Sequence, residues 1–574
     1  MHRIAPDATH LSDDLVATLL AAQGFEVPAS DLREIADTVR SMLEQALAWD
    51  AHDPFDYEPR SHWFDAERNA AARPMATVAA PSPITPVTAP TNTPTAVPAV
   101  SSPGALQGAD LAFADAHDQA AWLRAGGSAV TLTRTYLERI GRLDPYLRTY
   151  ITVTAERALA AAERADADLR AGRVRSPLHG VPFAVKDQML VKGVRLTGGS
   201  RVLQDVTAER TATVVARLEE AGAVFLGTLN THEFHAGPTR VFPFDAARNP
   251  WDTERTPGGS SSGSAAAVAA GLCTFSLGGD TGGSIRGPAS FCSLVGLKPT
   301  WGRVSRDGVI PLAWSLDCVG PLARSTRDVA IVLGVIAGPD QRDPTASHAP
   351  VEAYTAHLDA DDLRGVRVGL IAELLDERGV NADAIAATRA ACDVLGELGA
   401  SVTTVSLPLL ALAGQVCNAL VLAEAGSHHR RWLRDRYLDY DINCRVGFLA
   451  GAVAPGLVVE HARRMRTVIA QQLLALFEHV NVVVGPSAGI AHRLDAPRRR
   501  GADRGPGGVP VTPLTQPFNL AGVPALSVPC GFGPNGLPLG LQLATPHFDE
   551  VTLLRVADAY ERAMPWRERR PALG

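Results

Sequence analysis

The chain has 574 residues, 46% of them apolar and 20% charged, which is ample material for a large buried core. Its net charge of −7 is small for that length and argues against a nucleic-acid binder. The seven cysteines form no C-x-x-C pair, so neither a disulfide framework nor a zinc site is expected, and reduced thiols point to the cytoplasm.

In chain order, residues 1–72 read as a small α-helical unit. Met1 to Leu11 has no apolar core of the secretory kind. Leu15, Val16, Leu19 and Leu20 form a short stripe. Ser30 is the expected N-cap of a longer helix, with Leu32, Ile35, Ala36, Val39, Met42, Leu43, Ala46 and Leu47 on one face. Two helices cannot bury such a stripe alone, so the unit is expected to dock on the main domain or on a second copy as a homodimer. An aromatic tail with Phe55, Tyr57, Trp63 and Phe64 reads as an extended strap. Residues 73–108 carry eight prolines among Ala, Thr and Ser, a linker composition.

Residues 109–574 read as the catalytic domain. Helices are expected at Tyr136 to Leu143, Ala155 to Arg170 and Thr213 to Ala221. Strands are expected at Val181 to Val185, Ala223 to Leu226, Val366 to Ile371, Val482 to Val484 and Ala525 to Val528. This alternation predicts an α/β class. The apolar run from Leu407 to Ala425 is broken by Pro408, Gln415, Asn418 and Glu424, and reads as a buried helix, not a membrane span. The basic run Arg498-Arg499-Arg500 reads as a solvated loop.

The segment from Thr256 to Thr300 carries the chemistry. Gly258-Gly259-Ser260-Ser261-Ser262-Gly263 precedes a small-residue helix, and Asp280-Thr281-Gly282-Gly283-Ser284 follows it. Glycines beside a serine admit unusual backbone conformations and bring N–H groups close to an oxyanion. Upstream, Gly180 to Val185 is an apolar strand that ends in Lys186. A lysine buried there is desolvated and more easily neutral. Its simpler alternative is an ion pair with Asp187.

These motifs resemble the amidase signature family. GGSSSGS, then DTGGSIR with 24 residues from serine to serine, and G-x-P-x-x-x-K-D carry the resemblance. It extends through Gly227 to Phe234, Arg248-Asn249-Pro250-Trp251, Gly296 to Thr300 and Phe518 to Leu526. It implies a central mixed β-sheet with helices on both faces. It also implies Ser284 as nucleophile, Ser260 after a cis peptide bond as proton relay, and Lys186 as base. The N–H groups of Thr281, Gly282, Gly283 and Ser284 would form the oxyanion hole. Ser261 would support the network, and Asp280 and Arg286 would hold the loop as an ion pair. Ser262 departs from the glycine common in the family.

The implied activity is hydrolysis of an amide-type carbon–nitrogen bond in a small molecule (amide, anilide, carbamate or ureide), with no metal or organic cofactor. The alternative is a glutamine-hydrolysing subunit that supplies ammonia to an amidotransferase, ranked second. The N-terminal unit is loosely similar to the helical accessory subunits of such enzymes. A nucleophile elbow on Ser261 and a zinc site at His232-Glu233 are weaker readings. Met189 to Val191, Phe234 to Phe244 and Ala313-Trp314-Ser315 are expected pocket walls, with Leu422 to Ala450 as a helical cap.

Overall fold

The computed structural model describes residues 11–49, 108–237, 239–377, 380–495 and 513–573. The aromatic strap, the Pro-rich linker and Arg498 to Arg500 lie outside the described residues. Eleven strands form one mixed sheet: β1 (Tyr150–Val153), β2 (Pro182–Lys186), β3 (Val224–Leu229), β4 (Phe275–Asp280), β5 (Val295–Lys298), β6 (Cys318–Ala323), β7 (Arg367–Ile371), β8 (Ser401–Val405), β9 (Val482–Pro486), β10 (Ala525–Phe532) and β11 (Pro538–Ala544). Their order is β1-β3-β2-β4-β6-β5-β10-β11-β9-β7-β8. Strands β3-β2-β4 and β9-β7-β8 pair in parallel, whereas the strands between them and the edge pair β1–β3 are antiparallel.

Every residue of β2, β3, β4 and β6 is buried, so these strands read as continuous apolar runs and lack alternation. Phe183 on β2 stacks on Phe275 of β4 at 5.6 Å and meets Phe225 of β3 at 5.7 Å. Strands β3, β2 and β4 run parallel, with Phe183 opposite both Phe225 and Phe275. Their carboxyl ends therefore open on the same edge, where parallel sheets place their ligands. Lys186 ends β2, Thr231 to His235 follow β3, and Asp280 to Ser284 follow β4.

Two helices finish this edge. Helix α3 (Ser262–Ala269) is buried at every position, and its small side chains let it approach the sheet closely. A Cβ built on Gly263 would lie 2.4 Å from the Thr149 carbonyl, so only glycine fits there. Helix α4 (Arg286–Phe291) starts immediately after the 280–285 loop.

The N-terminal hairpin consists of α1 (Asp13–Ala22) and α2 (Ala29–Trp49). Helix α2 starts one residue before the expected cap. The Pro28 carbonyl accepts the N–H groups of Asp31 and Leu32, which places Ser30 inside the first turn. Ile35, Ala36, Val39, Met42, Leu43 and Ala46 are buried as the stripe predicts, while Leu32 and Leu47 are half-buried. The stripe packs on α5 (Ala413–His428), α6 (Ile442–Ala452) and α7 (Gly456–Leu476). The expected apolar run becomes the turn Pro408–Leu412 followed by α5. Its mean hydropathy of 1.5 would suit a membrane span by composition, but half of it is buried against neighbouring helices. All seven cysteines are buried, and none forms a disulfide.

Candidate functional site

Lys186 is fully buried, and its Nζ donates to Ser260 Oγ at 2.7 Å. Burial pushes this ammonium down to about 7, against the opposing pull of Asp317 and Asp280. The alternative pairing with Asp187 is not made. Asp187 accepts instead from the N–H and hydroxyl of Thr197, and burial raises its carboxyl to about 7.

The Gly259-Ser260 peptide bond is cis. The Ser260 carbonyl accepts from Thr231 Oγ1 at 2.9 Å and from the His232 N–H at 3.2 Å, which fixes the serine against the loop after β3. A Cβ at position 259 would sit 2.4 Å from the His232 ring, so the glycine is required for this approach. Ser261 is fully buried. Its Oγ donates to the Gly279 carbonyl and accepts from the Gly279 N–H, and its own N–H donates to the Ser284 carbonyl at 3.4 Å. An inward, doubly bonded Ser261 does not suit a nucleophile elbow. No group of three His, Cys, Asp or Glu side chains could hold a metal among the described residues, which sets aside the His232-Glu233 reading.

Ser284 is half-buried at the mouth of the 280–285 loop. Among the described residues no hydrogen bond joins its hydroxyl to that of Ser260. Such bonds are often long in unliganded enzymes and tighten when substrate binds. The loop is shaped by Asp280, whose Oδ1 accepts the Gly283 N–H at 2.8 Å and whose Oδ2 accepts the Ile285 N–H at 3.1 Å. Gly283 thus spends its N–H within the loop. Of the four expected oxyanion-hole donors, Thr281, Gly282 and Ser284 are those not taken by this carboxylate.

Asp280 and Arg286 form a fully buried ion pair at 3.0 Å. Burial alone would raise the Asp280 carboxyl, but the Arg286 guanidinium and the Asn519 amide outweigh it and hold the group well below the usual range. Arg286 also donates to the Thr515 carbonyl, Gln542 Oε1 and Asn519 Oδ1. Thr515 Oγ1 donates to the Gly282 carbonyl at 2.6 Å. Thr515 and Gln542 escape sequence reasoning because they are distant in the chain. Asn519 lies in the motif from Phe518 to Leu526, so its position is visible in the sequence but its role is not.

Beside the 280–285 loop lies a cavity of about 250 Å³, lined by Gln188, His235, Thr281, Val309, Asp317 and Trp314 among others. Trp314 is thus a wall as expected. Met189 is instead packed in the core. Phe234 sits among His429, Trp432 and Tyr440, with His429 only 4.4 Å from its ring centre.

With this geometry in place, comparison with known proteins identifies the class. The Amidase family model matches residues 131–554, and the chain belongs to this family of enzymes. It is 41% identical over 475 residues to the A subunit of glutamyl-tRNA(Gln) amidotransferase from Chloroflexus aggregans, covering 78% of this chain and 95% of the relative. The corresponding protein from Roseiflexus castenholzii, which bears the same name, is 42% identical over 473 residues, covering 77% and 94%. Among solved structures, peptide amidase from Stenotrophomonas maltophilia superposes with a TM-score of 0.68 at 33% identity, covering 80% of this chain and 98% of that one. A chain from a vestigial protein complex described as revealing the origins of an s-triazine catabolic enzyme gives 0.73 at 33% identity, covering 78% and 98%. The α/β architecture with a central mixed sheet is that of these enzymes.

Proposed function

We propose that this chain cleaves an amide carbon–nitrogen bond through an acyl-enzyme on Ser284, with Ser260 as relay and Lys186 as base. The observation that carries the reading is the 2.7 Å hydrogen bond from Lys186 Nζ to Ser260 Oγ, made by a buried lysine that titrates near 7. A neutral amine there accepts a proton through Ser260 as Ser284 Oγ attacks the carbonyl. The N–H groups of Thr281, Gly282 and Ser284 face the developing oxyanion. The relay then hands the proton to the departing nitrogen, and water hydrolyses the ester.

On the sequence alone, a stand-alone hydrolase of linear amides ranks first. The relatives favour the second reading, since those 40–42% identical are named as amidotransferase subunits. In that reading the chain hydrolyses glutamine, releases ammonia and works beside partner chains in the cytoplasm. Both readings share the same acyl-enzyme. Purified protein should be labelled at Ser284 by an activated ester, seen as one acyl mass increment that is absent in Ser284→Ala. An unchanged increment in that variant would refute the assignment. Ammonia release from glutamine, against release from simple amides by the chain alone, then separates the two versions.

A further inference from the structure

The cavity beside the 280–285 loop holds a polar side chain that the described residues leave without a partner. Gln188 lies two residues beyond Lys186, is 4% exposed, and its carboxamide makes no hydrogen bond with any described residue. Its place is cut into the sheet: a Cβ on Gly279 of β4 would lie 2.3 Å from Gln188 Nε2. Across the cavity, His235 is 5% exposed and sits at φ 66°. Its Nδ1 lies 3.4 Å from Thr231 Oγ1, and its Nε2 is buried with no partner. Burial holds this imidazole neutral, so the ring forms an uncharged wall of the cavity. Buried polar groups left unpaired cost free energy, and a ligand that pairs them recovers it.

The charged walls are already neutralised. Arg306 is clamped by the Trp314 and Asp317 carbonyls and by Thr345 Oγ1, lies over the rings of Trp301 and Trp314, and sits 3.9 Å from Asp343. Arg342 lies 3.7 Å from Asp307 and 3.6 Å from Asp340. Four aspartates line the cavity against these two arginines. Among the described residues that line the cavity, a ligand carboxylate would meet no cation without an acidic partner.

We propose that this cavity is the leaving-group subsite, and that it takes a neutral planar group that both donates and accepts hydrogen bonds, of the carboxamide or urea type. The inference rests on the acyl-enzyme reading above. In that reaction the Ser284 Oγ–acyl bond forms and the carbon–nitrogen bond breaks. The proton lost by Ser284 passes through Ser260 and Lys186 to the leaving nitrogen. The departing amine leaves beside the 280–285 loop, where Thr281 and Gln188 line the cavity.

The test compares four substrates with one common acyl group: the N-acylglycinamide, the N-acylpropylamine, the N-acylglycine and the methyl ester. The wild-type enzyme should prefer the glycinamide to the propylamine by at least tenfold in kcat/KM, with the N-acylglycine poorest. Gln188→Leu should reduce that ratio to below threefold. His235→Asn, which suits the positive φ, should also lower it and serves if the first variant misfolds. A wild-type ratio near one, a ratio unchanged in both variants, or ester turnover with neither amide consumed would overturn the subsite. Ester turnover that survives Ser284→Ala would instead overturn the acyl-enzyme reading beneath it.

Discussion

A lysine that titrates near 7, where an exposed one stays charged to about 10.5, makes two predictions at a single position. As base, Lys186 must be neutral, so kcat/KM should rise with pH and level off above about 7 in a pH–rate profile. Stability should follow the same direction. Between the folded and the unfolded pKa the unfolded chain binds the extra proton, so unfolding free energy increases with pH across that window, as urea titrations at several pH values would register. Lys186→Met should abolish turnover and flatten that dependence. Asp280 behaves oppositely: its carboxylate is held ionised by Arg286 with both side chains fully buried. Asp280→Ala leaves a buried guanidinium unpaired and frees the Gly283, Ile285 and Arg286 N–H groups, so we expect a loss of roughly 3–5 kcal/mol by chemical denaturation.

Among the elements, α2 is held to the body by its apolar face and by Asp31. This carboxylate accepts from Arg445 Nε at 2.8 Å and from the Tyr437 hydroxyl at 2.9 Å. Trp49 closes the helix, 1% exposed and packed with Val416, Leu420, Met465 and their neighbours. Trp49→Ala should cost roughly 3–5 kcal/mol, visible as a lower Tm by calorimetry. The 3.6-residue stripe of α2 was legible because helix faces repeat locally, but Asp31 was not. Beside the adjacent Ser30 hydroxyl, the partners that explain its burial lie some 400 positions away, and no local pattern announces them. Strand boundaries fared similarly: the apolar stretch 181–185 appears as Pro182–Lys186, and Ala525 to Val528 extends to Phe532 because pairing with β11 continues the ladder.

For the whole molecule, the class of fold followed from alternating helical and strand-like runs, whereas the strand order did not. Two parallel triplets flanking an antiparallel middle depend on contacts between distant segments, such as β10 inserted between β5 and β11. The site divides along the same line. Lys186, Ser260 and Ser284 stand in recognisable local motifs. Gln188, His235, Thr515 and Gln542 acquire meaning only when the carboxyl ends of β2, β3 and β4 meet, since none has a distinctive neighbourhood of its own.

Helices α1 and α2 belong to the same polypeptide as helices α5, α6 and α7, on which they pack. Their seating is thus a unimolecular event, set by covalent connection and not by how much protein a cell makes. Dilution leaves that seating unchanged, and its stoichiometry is one to one at any level of expression.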